Sequence, residues 1–284
     1  MVKIMFPFGL AIWAAGHVLV YPRYHATGLE TMHGWRARIG LLVPAVNSIM
    51  EPEMWRTAPE HVTVHTARSD GGREGTADEL RSMETESQHA CARVAMAEPH
   101  GIVYACTSGS FFEGRAWNEN IARQLTAIAG VPTITTAGAM AASLHSIGAK
   151  RVAVVTPYVE LTNTRLTAFL GEYGINVSRL GTFDMLDMFD HAKIQPADVY
   201  AQVKATVTGK EDAVFVACTQ VRALEVVDML ERDLGIPVYS AVQATIWMTY
   251  KTLNIDPALT QYGSLLRSMP EVPALSDAVT LHSA

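Results

Sequence analysis

The feature that most constrains this chain is an internal echo. The run Val103-Tyr-Ala-Cys106-Thr107-Ser108-Gly-Ser110 returns as Val214-Phe-Val-Ala-Cys218-Thr219-Gln220. Each is a short apolar stretch that stops abruptly on a cysteine and small polar residues. Such a stretch reads as a buried parallel strand feeding a loop. The surroundings repeat too. Arg38 to Cys106 spans 68 positions and Arg151 to Cys218 spans 67, and Gly130-Val131-Pro132 and Gly235-Ile236-Pro237 follow the two cysteines in turn. A period of about 110 residues means two similar lobes, not a solenoid.

Strand and helix patterns alternate from Arg36 onward. The predicted strands are Arg38–Pro44, Val62–Ala67, Gly101–Ala105, Thr133–Thr136, Lys150–Thr156, Asn176–Leu180, Ala213–Ala217 and Val238–Ser240. Helices are predicted between them, with Val221–Leu234 following the second cysteine. The order implies an α/β fold of two Rossmann-like lobes with parallel sheets and right-handed crossovers, related by a pseudo-twofold repeat. Ligands in such sheets bind beyond the carboxyl ends of the strands, so the active site is expected in the inter-lobe cleft. The expected divisions are a first lobe over 36–149, a second over 150–255, an extension over 1–35 and a tail over 256–284. The glycine-rich stretch Arg68–Thr76 reads as a loop able to act as a lid. Phe183–Gln195 reads as a Met- and Asp-rich loop, and everything from Asn254 as irregular.

Ile4 to Val20 carries no Asp, Glu, Lys or Arg. The expectation is an extension ahead of the fold, with Met32 the start of the globular part. An export or membrane signal and a docked helix are the alternatives.

Composition excludes several classes. The net charge of −6, with no cluster of Lys and Arg, argues against a nucleic-acid partner. Three scattered cysteines form neither a disulfide framework nor a metal spacing. His61 and His65 sit in an alternating, strand-like stretch, so no metal is expected. Cys91 fits a buried helix face beside Ala90 and Val94.

Cys106 and Cys218 are different, because they recur at matched places, each followed by threonine. A thiol at a strand end ahead of a helix is expected to have a lowered pKa, making thiolate available near neutral pH. Thiolate removes a proton next to a carboxylate or adds to an activated double bond. Two thiols on opposite faces can take a proton from one side and return it on the other. Thr107, Ser108 and Ser110 supply hydroxyls for a carboxylate and its enediolate. Asn47 reads as a site residue or only a helix cap, and Tyr158 as a site residue or a rim aromatic.

These residues carry a family resemblance. Leu42-Val-Pro44-Ala-Val-Asn47-Ser-Ile-Met50-Glu51, Cys106-Thr-Ser-Gly-Ser-Phe111, Gly148-Ala-Lys-Arg151-Val, Thr156-Pro-Tyr158 and the two Gly-x-Pro motifs resemble the aspartate/glutamate racemase superfamily. Within it they are most similar to the maleate cis-trans isomerase and arylmalonate decarboxylase branch. The resemblance implies a cofactor-independent enzyme acting on a small carboxylate or dicarboxylate, with Cys106 and Cys218 catalytic. Pro44, Asn47, Thr107, Ser108, Tyr158 and Thr219 are then the substrate-binding candidates.

The decarboxylases resemble this chain at Thr107, Ser108 and Tyr158, but they have glycine where Cys106 stands and a glycine pair where Thr219-Gln220 stand. An isomerase or racemase is therefore expected, with a one-cysteine decarboxylase as the alternative and a non-catalytic two-lobed binding protein as a further one. A related two-cysteine protein of ectoine breakdown is also similar. Cytoplasmic location follows from the free thiols. No membrane partner is expected, and a homo-oligomer is left open.

Overall fold

The computed structural model describes residues 32–255, 259 and 261–268. The expectations for residues 1–31 and most of the tail lie outside them. In the first lobe, strands β1 (Ala37–Pro44), β2 (Val62–Ser69), β3 (Gly101–Tyr104) and β4 (Thr133–Thr135) alternate with helices α1 (Met50–Thr57), α2 (Ala77–Ala95), α3 (Thr107–Phe111), α4 (Arg115–Ala129) and α5 (Thr136–Ser146). In the second, β5 (Arg151–Thr156), β6 (Asn176–Thr182), β7 (Ala213–Val216) and β8 (Val238–Ser240) alternate with α6 (Glu160–Glu172), α7 (Pro196–Thr206), α8 (Val227–Leu234) and α9 (Ala241–Thr252). A short helix α10 (Ser264–Ser268) lies in the tail, where only irregular chain was expected.

The sheet orders are β2-β1-β3-β4 and β6-β5-β7-β8, parallel throughout. The same order in both lobes is the repeat made visible. β3 and β7 are central and wholly buried, which explains their unbroken apolar runs. The two Gly-x-Pro motifs do equivalent work. Gly130 and Gly235 end α4 and α8 at φ 69° and 68°, a left-handed conformation that glycine adopts without steric cost. The following proline carbonyls accept from the central strands, Ile102 N to Pro132 O at 2.8 Å and Val214 N to Pro237 O at 2.9 Å.

The lobes meet along α5 and α9, the equivalent helices after β4 and β8. The buried side of α5 is mostly small residues, and α9 is buried along most of its length with larger ones such as Ile246 and Trp247. Thr245 Oγ1 donates to Thr136 Oγ1 across this contact at 3.0 Å. Phe111 of the first lobe also packs on Phe169 and Tyr158 of the second, with ring centroids 6.1 Å apart in each case. This packing aims the carboxyl ends of β3 and β7 at one shared gap. No helix among the described residues is long and apolar enough to cross a membrane.

Candidate functional site: two thiols in an inter-lobe cleft

Cys106 and Cys218 both line one cleft, which measures about 540 Å³ out to its open mouth. Pro44, Asn47, Thr107, Ser108, Tyr158 and Thr219 line the same cleft, so the structure brings together all eight residues singled out from sequence. Their local settings differ from what the sequence suggested.

Cys106 does not open a loop. It caps the five-residue α3, and its Sγ accepts from Gly109 N at 3.3 Å. Ser108 Oγ lies 4.0 Å from that sulfur and Met83 Sδ of α2 lies 3.6 Å from it. Gly109 is required here: a Cβ on it would come within 2.6 Å of Tyr104 Oη and 3.0 Å of Cys106 Sγ. Ser110, expected at the ligand, instead turns inward and donates to Cys106 O at 2.7 Å.

Cys218 has no matching helix. Its backbone holds φ 85°, a left-handed conformation strained for any residue but glycine. The predicted helix from Val221 begins only at Val227. The intervening chain is pinned to the other lobe. Gln220 Nε2 donates to Val46 O and Ser48 N donates to Gln220 Oε1, both at 2.8 Å. Gln220 is therefore a staple between lobes, a role its sequence position gave no sign of.

The polar wall between the thiols is shared. Thr219 N donates to Thr107 Oγ1 at 3.1 Å and Thr219 Oγ1 donates to Ala105 O at 3.0 Å. Asn47 has two jobs. Its Oδ1 caps α1, accepting from Met50 N at 2.9 Å, while Nδ2 donates to Thr219 Oγ1 at 3.3 Å. The cap reading of Asn47 is the one these hydrogen bonds show, with Nδ2 engaged by Thr219 in the cleft wall.

Tyr158 is 5% exposed, and its hydroxyl completes no hydrogen bond, although Thr107 and both thiols stand near it. A buried hydroxyl without a partner, facing a cleft, is a donor awaiting an acceptor. No lysine or arginine lines the cleft among the described residues, so hydroxyl and backbone N–H groups must meet an anion there.

Burial decides the ionisation of the thiols. It pushes Cys218 up to about 12, with only partial relief from the Gln220 N–H. Cys106 is also raised by burial, against the hydrogen bond from Gly109 and the neighbouring hydroxyls. The expectation of lowered thiol pKa values is corrected: a single N–H per sulfur does not offset loss of water. Cys91 is the structural cysteine expected, buried in α2 and donating to Leu125 O at 3.6 Å.

Several lining residues escaped the sequence reading. His191 lies in a 3₁₀ turn over Asp190–Lys193, inside the loop from Phe183 to Gln195. Met185, Leu186 and Met188 of that loop, with Val46 and Leu80, make the mouth apolar. The glycine-rich loop borders the same mouth through Glu74 and Gly75, and it is clasped to the second lobe. Arg73 NH2 pairs with Asp187 Oδ2 at 2.7 Å and Met188 N donates to Arg73 O at 2.7 Å. The sequence marked both segments as loops but gave no sign that they meet each other beside this cleft.

The fold and the paired thiols define a two-lobed α/β protein with one cysteine from each lobe in a shared cleft. The chain belongs to the arylmalonate decarboxylase family, whose model matches residues 39–266. It is similar to the maleate isomerase of Geobacillus stearothermophilus, 27% identical over 243 residues, which cover 81% of this chain and 96% of that protein. A solved structure of the maleate isomerase of Pseudomonas putida S16 with maleate superposes with a TM-score of 0.77 at 28% identity, covering 81% of this chain and 97% of that one. A maleate cis-trans isomerase of Nocardia farcinica, a cysteine-to-serine mutant with a covalently bound succinylcysteine intermediate, gives 0.76 at 26% identity, covering 81% of this chain and 98% of that one.

Proposed function

We propose that the protein is a cofactor-independent isomerase of a small unsaturated carboxylate, of the maleate cis-trans isomerase kind. The observation that carries this reading is the presence of two thiols, from equivalent strand ends of two lobes, in one cleft. The relatives support it, since one holds a succinyl group on a cysteine, the product expected when sulfur adds to a four-carbon unsaturated diacid.

In this reaction Cys106 gives its thiol proton to a base in the cleft, to be returned when it leaves, and its sulfur adds to one carbon of the double bond. The electron pair moves onto the neighbouring carbon and its carboxylate, and Cys218 delivers a proton there. The former double bond is now single and rotates. Cys218 retrieves the proton, the C–S bond breaks and the double bond re-forms in the other geometry. Tyr158, Thr107, Ser108 and Asn47 hold the carboxylate, and their donors are most valuable while the enediolate carries its charge. Three free cysteines suit a reducing compartment, and we place the enzyme in the cytoplasm.

Decarboxylation of an arylmalonate is the second reading, favoured by the three hydroxyls of Thr107, Ser108 and Tyr158 along one wall. The test is an NMR assay in D2O with maleate, amino acids, hydantoins and arylmalonates, using wild type, Cys106→Ser and Cys218→Ser. Isomerisation requires that either change remove most turnover. Decarboxylation with a mild effect of Cys106→Ser would replace the first reading with the second. Binding without turnover, indifferent to both changes, would sink both.

A further inference from the structure

We propose that His191 is a further catalytic residue, the proton acceptor that works with Cys218. This rests on the two-thiol reaction above and assigns the proton that reaction leaves unplaced. Four observations support it. His191 is 3% exposed and lines the cleft. Its Nδ1 is 3.7 Å from Cys218 Sγ. Its Nε2 is 3.1 Å from the carbonyl of Met185, which can only accept, so Nε2 carries the hydrogen. That fixes the tautomer and leaves the Nδ1 lone pair facing the thiol. Finally, Tyr158 packs edge-on against the ring at 6.0 Å, so the imidazole is held by its neighbours.

The two thiols are not equivalent in this respect. The partners recorded for Cys106 Sγ are Met83 Sδ, Ser108 Oγ and Gly109 N, none of them a base at neutral pH. Yet Cys106 must lose a proton before its sulfur can add to a double bond. The Cys218–His191 pair can hold that proton, becoming thiol plus imidazolium. Cys218 then passes its own proton to the substrate carbon: the S–H bond breaks, the C–H bond forms, and the electron pair stays on sulfur. The thiolate left behind faces an imidazolium, so the negative charge on sulfur is paired at once. Retrieval of the carbon-bound proton and departure of Cys106 return both protons to their starting atoms. Burial lowers the His191 pKa and keeps the resting ring neutral, against the opposing effects of the Met185 carbonyl, Asp187 and Asp190.

Alkylation by iodoacetamide, resolved by peptide mass spectrometry into Cys106 and Cys218, tests the pairing without any substrate. His191→Gln keeps a donor for the Met185 carbonyl and removes the base. The expected result is at least a tenfold slower reaction of Cys218 at pH 7, with its pH profile moved upward, and a smaller slowing of Cys106, which gives its proton to that pair. An unchanged Cys218 profile, or a slowing of Cys106 as large as that of Cys218, overturns the proposal. A second measurement needs no His191 variant: the NMR titration midpoint of the His191 ring should move on Cys218→Ser, and an unmoved midpoint also overturns it. These readouts separate the two claims, because a chain whose Cys218 depends on His191 yet isomerises no carboxylate refutes the function and keeps the pair.

Discussion

Replacing Tyr158 with phenylalanine separates stability from activity in a way the structure makes quantitative. The ring contacts with Phe111 and His191 survive this change. Only the hydroxyl is lost, and that hydroxyl has no hydrogen-bond partner in the ligand-free protein. An unsatisfied buried hydroxyl costs about 1–3 kcal/mol. Its removal should therefore leave the protein as stable as wild type or raise the unfolding free energy by up to about 2 kcal/mol, within the range of that penalty. Turnover should move the other way. A hydrogen bond to a charged acceptor contributes about 1.5–3 kcal/mol, which corresponds to roughly a 10- to 150-fold loss in kcat/KM. Urea titration followed by circular dichroism gives the first quantity, and maleate turnover followed by NMR gives the second. A variant that is clearly destabilised yet fully active would show that the hydroxyl serves the fold and meets no substrate.

The remaining predictions concern the thiols. Gly109→Ala would push a methyl group towards Tyr104 Oη and Cys106 Sγ. Since a displacement of about 1 Å at a reacting group can cost about 100-fold in rate, kcat should fall to the order of 1% while the protein still folds. Initial-rate assays beside a urea titration check this, and a fully active Gly109→Ala protein would show that Cys106 need not sit where it does. For pH, the sign follows from Cys218 being raised in the folded state. Above the ordinary thiol pKa the unfolded chain ionises and the folded chain does not. Stability should then decline as pH rises from about 9 towards 12, by at most ~1.4 kcal/mol per unit for this thiol. Thermal melts of wild type and Cys218→Ala across pH 8–10.5 measure it, and equal slopes in both proteins would contradict the burial argument.

The repeat, the parallel strands and the meeting of the eight candidate residues in one cleft were legible in the sequence for one physical reason. A buried central strand must be apolar throughout and must stop where it meets a ligand, so Val103–Ala105 and Val214–Ala217 declare both their depth and their ends. The glycine of each Gly-x-Pro motif is likewise dictated locally, by a left-handed helix end. What the sequence could not fix was anything set by contacts across the lobes. Cys106 and Cys218 look alike in sequence, yet one caps a helix at φ −121° and the other sits strained at φ 85° beside a histidine. Gln220 was legible only as a departure from the decarboxylase glycine pair, and it became a staple because Val46 and Ser48 come within reach once the lobes pack. The thiol pKa values went the same way: a strand end beside N–H groups is a local property, but removal of water from the cleft belongs to the whole fold, and at these sulfurs it is the larger effect.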